Sequence, residues 1–248
     1  MIRTTALALD GFLTDRSPSA AWLALVPTTD ARALADAAAA LPDEVHALAT
    51  SYATEARRAG FLGGRVALRA ALGEAGSPEA ARAVLRDDRG RPVASWPDAP
   101  PFSIAHTRRR AVALVATRSM AAIGVDIEEI DARRAEALVR KAFSGAELAL
   151  LTGAAAPSAD ASHPIETPHP IEEPIAAWCA REACVKAHAL EVGWFGTALE
   201  IRGFARTDAP AHLPGEAAWR ISIAHAGTPL EAYAWREDGA ILAVALRR

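Results

Sequence analysis

The sequence predicts an α+β fold: a pseudo-twofold pair of similar halves, each a small antiparallel sheet packed with helices, with the active site in the cleft between them. Three observations carry this reading. Ser103-Ile104-Ala105-His106 recurs as Ser222-Ile223-Ala224-His225, an offset of 119 residues. The same offset lays Val112–Ala116 near Glu231–Trp235, and Met1–Leu9 on Met120–Glu128. Stretches of helical character separate these strand-like pieces, so each half reads strand, helices, a short strand ending in Ser-Ile-Ala-His, then another strand. The halves are taken as 1–119 and 120–248. The offset also lays Ala240–Leu246 on Ala121–Ile127, so the border strand can close the first half or open the second.

The amino-terminal strand is too short and too soon interrupted for a signal peptide. Ala31–Leu48 reads as helix interrupted at Pro42, and Thr54–Leu72 as a second helix carrying Arg57, Arg58, Arg65 and Arg69. Asp88-Arg89-Gly90-Arg91-Pro92 is a turn signal. Ala121–Val125 is an apolar run of the kind that forms a buried strand. Ala132–Leu151 is helical with a break at Ser144-Gly145. From 153 to 174 the chain turns to alanine, serine and proline, and repeats His-Pro-Ile-Glu at 163–166 and 169–172. Its prolines exclude a continuous helix or central strand, so a flexible insert is expected there. Trp178–Lys186 reads as helix.

Hydrophobic residues make up 51% of the 248, ample for a core, and many are alanine, which favours closely packed helices. The net charge of −3 gives no electrostatic case for nucleic acid. No apolar run reaches the roughly 20 residues needed to span a bilayer, so a soluble, cytoplasmic protein without membrane partners is expected. Cys179 and Cys184 lie five apart on one helix and suit neither a disulfide nor a zinc site. The only lysines are Lys141 and Lys186. In so arginine-rich a chain, a lysine at 186 is not a generic surface charge.

The chemistry concentrates in two segments, Gly124-Val125-Asp126-Ile127-Glu128 and Trp178–Lys186. On a strand Asp126 and Glu128 share one face, and two carboxylates at a buried edge stay ionised only beside a cation. On a helix Glu182 and Lys186 stand one turn apart. Three carboxylates and a lysine suit an oxygen-lined divalent-metal site with a phosphate-binding cation beside it. The offset places Leu7, Leu9 and Gly63 where the second half has Asp126, Glu128 and Glu182, so the acidic cluster belongs to that half alone. Plainer readings stand alongside: Asp126 and Glu128 as caps of a following helix, Glu182–Lys186 as a surface pair, His106 as a core histidine, Arg65 as the partner of a carboxylate. His225 is read as structural and Trp178 as a helix anchor in the core.

Four blocks in order resemble the two-domain, surfactin-synthetase-type 4′-phosphopantetheinyl transferases. They are Gly63-Gly64-Arg65 opening a helix, Gly90-Arg91-Pro92 followed by Phe102–Thr107, Gly-Val-Asp-Ile-Glu at 124–128, and Trp-x-x-Arg-Glu-Ala-x-x-Lys-Ala at 178–187. The resemblance implies transfer of the phosphopantetheine arm of coenzyme A to a serine of an apo acyl, peptidyl or aryl carrier protein, with release of adenosine 3′,5′-bisphosphate. By it, Asp126, Glu128 and Glu182 would hold Mg²⁺, Lys186 the phosphates, and Arg65 and His106 the 3′-phosphate. Arg91 would lie beside the nucleotide, with Arg57 and Arg58 as further phosphate contacts. Glu182 is the candidate base, directly or through a metal-bound water. A pseudodimer completes its own site, so a monomer is expected. Because family carriers are acidic, Arg133, Arg134 and Arg140 suggest a docking surface.

The chain departs from the family pattern at Ala105 and Thr107, where serines commonly flank the histidine, at Arg181, where lysine is usual, and in the length of the insert. The first two changes bear on affinity for coenzyme A. Two rivals remain: another Mg²⁺-dependent nucleotide phosphodiester enzyme, and a non-catalytic carrier-binding scaffold.

Overall fold

The computed structural model describes residues 1–8, 20–117, 120–153, 171–191, 198–207 and 218–247. The chain folds as two compact units, Met1–Ile127 with Leu246–Arg248, and Glu128–Ala245. Each pairs antiparallel strands with helices, so the α+β class holds. Most of the expected insert, residues 154–170, lies outside the described residues, as does Leu9.

In the first unit the strands are β1 (Arg3–Ala8), β2 (Ala20–Pro27), β3 (Val84–Arg86), β4 (Pro92–Ala94), β5 (Phe102–His106) and β6 (Arg110–Ala116), followed by β7 (Ala122–Glu129), within which the unit ends. Its helices are α1 (Ala31–Ala38), α2 (Asp43–Ala49) and α3 (Glu55–Glu74). Pro42 separates α1 from α2 as expected, and the Thr54 side chain caps α3 by accepting from the Arg57 amide. The main sheet has the order β1-β2-β6-β5, all neighbours antiparallel. β2, which the repeat did not predict, pairs Leu25 with both Arg3 and Val112.

Helix α3 lies close on this sheet because glycine faces it. A Cβ on Gly63 would stand 2.6 Å from Thr28 Cγ2 and 3.1 Å from the Ala111 Cβ, and one on Gly64 would stand 2.7 Å from Ile104 Cγ2. Ala67, Leu68, Ala71 and Leu72 continue the contact into a core with Val26, Val84, Trp96, Ala113 and Val115. β3 and β4 form a separate ribbon whose tip turns through Gly90, at φ 79°.

The second unit contains α4 (Ala132–Lys141), α5 (Gly145–Thr152), α6 (Glu172–His188), β8 (Leu199–Thr207), β9 (Ala218–His225), β10 (Thr228–Glu237) and β11 (Ala240–Arg247). The strand order is β7-β11-β10-β9-β8, with a bulge between Ile201 and Gly203. Helix α6 is buried nearly all round: Ile175, Cys179, Ala180, Ala183 and Cys184 are fully enclosed among Leu199, Ile221, Ile241 and Ala243. Small residues at these positions let the helix sit close to the sheet, and burial pushes the Cys184 thiol up to about 12. The sequence expectation had reserved 172–174 for the insert, yet α6 begins at Glu172. Pro174 fits because the first helical turn asks for no amide donor. Among the described residues no helix is long and apolar enough to cross a membrane.

The repeated Ser-Ile-Ala-His segments end β5 and β9, and each forms a hairpin with the next strand. His106 pairs with Ala111, whereas His225 pairs with Thr228 across a tight turn with Ala226 and Gly227 at φ 48° and 82°. The first hairpin carries an extra pair, with the Thr107 amide donating to the Arg110 carbonyl at 2.8 Å. The offset of 119 residues therefore does not extend into the following strands.

Candidate functional site

Arg134 links Glu128 to helix α6 within the second unit. Asp126 and Glu128 share a face of β7, with Asp126 buried. Arg134, in the first turn of α4, reaches Glu128: its Nη2 lies 2.6 Å from Oε1. The same guanidinium lies over the Trp178 ring, 5.5 Å from its centroid. Trp178, Glu182 and Lys186 succeed one another at i, i+4 and i+8 along α6. Arg134 thus joins Glu128 to the face of α6 that carries Glu182 and Lys186. Its position is fixed locally, since the Asp131 side chain caps α4 by accepting from the Arg134 amide at 2.8 Å.

The donor chemistry at Asp126, Glu128 and Glu182 is entirely carboxylate oxygen, the kind a hard divalent cation takes. Among the described residues no group of three or more His, Cys, Asp and Glu side chains is gathered into a metal cage. Mg²⁺ asks for less, because it is usually held by one or two carboxylates with substrate phosphates and waters completing the shell. A strand offering Asp126 and Glu128 on one face fits that demand.

In the first unit His106 ends β5 with its imidazole over Gly60 of α3. Arg57, one turn before Gly60, and Arg58 are exposed in the first turn of α3, where the helix terminus itself favours anions. Ser103, buried on β5, accepts from the Val125 amide at 3.0 Å, which ties the Ser-Ile-Ala-His strand to the segment carrying Asp126.

Arg65 points elsewhere. It lies on a different side of α3 from Gly60, donating Nε to the Val84 carbonyl at 2.6 Å and Nη2 to the Leu85 carbonyl at 2.9 Å. Its guanidinium covers the Phe61 ring at 4.5 Å, and burial lowers its pKa to about 10, still charged at neutral pH. Arg91 closes the β3–β4 turn: its amide and Nε both donate to Asp87 at 2.8 Å. Those bonds, led by the backbone amide, hold the Asp87 carboxyl below its ordinary range.

Two departures from the family pattern have visible structural partners. Arg181 is 1% exposed and faces the core of its own unit, donating to Glu147 and to the Ala142 carbonyl and covering the Phe143 ring. These contacts brace α6. Thr107 Oγ1 accepts from the Arg109 and Arg110 amides and so shapes the hairpin after His106. His225 directs Nδ1 to the Ala198 carbonyl at 3.2 Å, in keeping with a structural role. Trp178 is buried as expected. Of the suggested docking arginines, Arg134 is engaged by Glu128 and Arg140 by Glu136 at 3.1 Å.

Sequence reasoning missed Glu147 and Gly60. Glu147 was within reach, since Ser144-Gly-Ala-Glu147 is a capping-box signature, and both halves of the box form. Gly60 had no signal without knowing that β5 crosses it.

A search of curated proteins gave no match. Two family models do match: residues 44–116 fit the 4′-phosphopantetheinyl transferase N-terminal domain, and residues 122–240 fit the 4′-phosphopantetheinyl transferase superfamily. They follow one another in the order of the two units and together take in most of the chain, including Asp126, Glu128, Glu182 and Lys186 in the second match and Arg65 and His106 in the first. This chain therefore belongs to the 4′-phosphopantetheinyl transferases, which transfer phosphopantetheine from coenzyme A to carrier proteins.

Proposed function

We propose that the chain carries out Mg²⁺-dependent transfer of the 4′-phosphopantetheine arm of coenzyme A to a serine of an apo acyl or peptidyl carrier protein, as a holo-carrier synthase acting as a monomer in the cytoplasm. The observation that carries this reading is the Glu128–Arg134–Trp178 assembly, which ties one predicted metal ligand to the α6 face bearing Glu182 and Lys186. The division of labour follows the halves: 1–119 for the 3′-phosphate end of the cofactor, 120–248 for the metal and the reacting phosphate.

The serine oxygen attacks the β-phosphorus of coenzyme A. A new P–O bond forms, the bridging P–O bond breaks, and adenosine 3′,5′-bisphosphate leaves with the bond electrons. Glu182 takes the serine proton, since a hydroxyl is a poor nucleophile at neutral pH without a base in reach. Lys186 offsets charge on the phosphate oxygens as it builds. Asp126, Glu128 and Glu182 would hold Mg²⁺, which when bound would supply further charge neutralisation on the pyrophosphate. His106, with Arg57 and Arg58, binds the 3′-phosphate, and Arg91 lies beside the nucleotide.

The test is a mass assay with coenzyme A, Mg²⁺ and apo carriers from fatty-acid, polyketide and nonribosomal-peptide synthesis. Gain of one phosphopantetheine arm is expected on at least one carrier. No gain on any of them would favour another Mg²⁺-dependent phosphodiester chemistry. Tight carrier binding without turnover would favour a scaffold.

A further inference from the structure

We infer that Arg134 is a positioning residue for the metal site, holding Oε1 of Glu128 and so fixing the orientation of that carboxylate. The inference rests on the reading of Glu128 as a Mg²⁺ ligand and adds a residue that the sequence had suggested only for carrier docking. Three contacts set the guanidinium in place. Its Nη2 meets Glu128 Oε1 at 2.6 Å, its face lies over Trp178, and its own amide is fixed by the Asp131 cap. Arg134 Nε is buried with no hydrogen-bond partner among the described residues. A guanidinium that merely neutralised charge would not be expected to leave a buried donor unsatisfied. This one is held in an orientation that favours the Glu128 contact over its own solvation.

A flexible glutamate side chain loses rotamer freedom when it binds a cation. Fixing one oxygen beforehand removes part of that loss, and partners of this kind around metal ligands are commonly worth ten- to hundredfold in affinity. A lysine would supply the charge without the planar fork that stacks on Trp178.

The probe is Mn²⁺, followed by electron paramagnetic resonance on the full chain with coenzyme A present and no carrier, so that binding is read apart from turnover. Arg134→Gln is expected to weaken Mn²⁺ binding at least about tenfold, with Arg134→Lys between it and the wild type. Glu128→Gln should weaken it too, and the double variant should lose no more than Glu128→Gln alone, because Arg134 acts through that carboxylate. Should Arg134→Gln fail to fold, Arg134→Lys and its double with Glu128→Gln carry the same comparison. Wild-type or tighter binding in the Arg134 variants, with Glu128→Gln weakened, overturns the inference and leaves the ligand role of Glu128 standing. Unchanged binding in Glu128→Gln overturns both.

Discussion

The imidazole of His106 rests against the bare backbone of Gly60: a Cβ there would stand 2.7 Å from Nδ1 and 3.0 Å from Cε1 and Cγ. The helix gives up a side chain at this point so that the histidine can lie close to the backbone of α3. Because His106 is exposed, its ring can swing away if a methyl group is added. Gly60→Ala should therefore keep the fold, and the better helix former adds about 0.5–1 kcal/mol of stability. If His106 binds the cofactor's 3′-phosphate, KM for coenzyme A should rise roughly tenfold, equivalent to about 1.4 kcal/mol, while 3′-dephospho-coenzyme A is used as before. Steady-state kinetics with both substrates and a thermal melt check this. An unchanged KM for coenzyme A would separate His106 from the cofactor.

Three residues along the helix the same substitution should act in the opposite sense. The added carbon of Gly63→Ala would meet Thr28 Cγ2 and the Ala111 Cβ, neither of which is the loose end of a long chain. Overpacking of this kind costs about 1–3 kcal/mol, more than the gain in helix propensity returns. Chemical denaturation should show Gly63→Ala less stable than wild type and Gly60→Ala at least as stable. Equal stabilities would mean that α3 can lift from the sheet.

These two glycines show how far the sequence could be read. Gly63 and Gly64 belong to a recognisable block, and the Pro42 break and most of the helices were legible from periodicity and residue type. Strand β2 was not. It is a short apolar run whose place between β1 and β6 depends on long-range pairing, and the internal repeat has no counterpart for it after β7. The directions of Arg65 and Arg181 were hidden for a similar reason. A guanidinium suits phosphate, carboxylate and carbonyl alike, and only the fold shows which of them it meets.

Arg65 allows a sharp test, because its visible partners are carbonyls. Arg65→Met leaves the Val84 and Leu85 carbonyls without their donors and should cost about 3 kcal/mol of stability, the order expected for two hydrogen bonds from a charged group. A further role at the 3′-phosphate would also raise KM for coenzyme A without changing that for 3′-dephospho-coenzyme A. A loss shared equally by the two substrates would confine Arg65 to holding the β3–β4 ribbon. The readout is the KM ratio, measured at a temperature where the variant is folded.

The Glu147–Arg181 pair predicts how the second unit responds to acid. Burial alone would raise the Glu147 pKa. The Ile201 and Ser144 amides, the Arg181 guanidinium and the Ser144 hydroxyl outweigh it, so the carboxyl titrates below its ordinary value of 4.5. A carboxylate depressed in the folded state contributes stability that is fully present above the unfolded pKa and is lost as pH falls through the folded one. Glu147→Gln keeps the shape but leaves Arg181 enclosed without its counter-charge, which should cost about 3–5 kcal/mol near neutrality. Below pH 4.5 the unfolded chain takes up a proton at Glu147 before the folded protein does, so the contribution of the ion pair declines until the folded carboxyl is itself protonated at its lower pKa. The stability gap between wild type and Glu147→Gln should therefore be constant from neutrality down to about that pH and shrink below it. Urea unfolding on both sides of this boundary measures the gap. A gap that stays constant into strong acid would mean that Glu147 supports α5 and α6 by shape and hydrogen bonding alone, with no contribution from its charge.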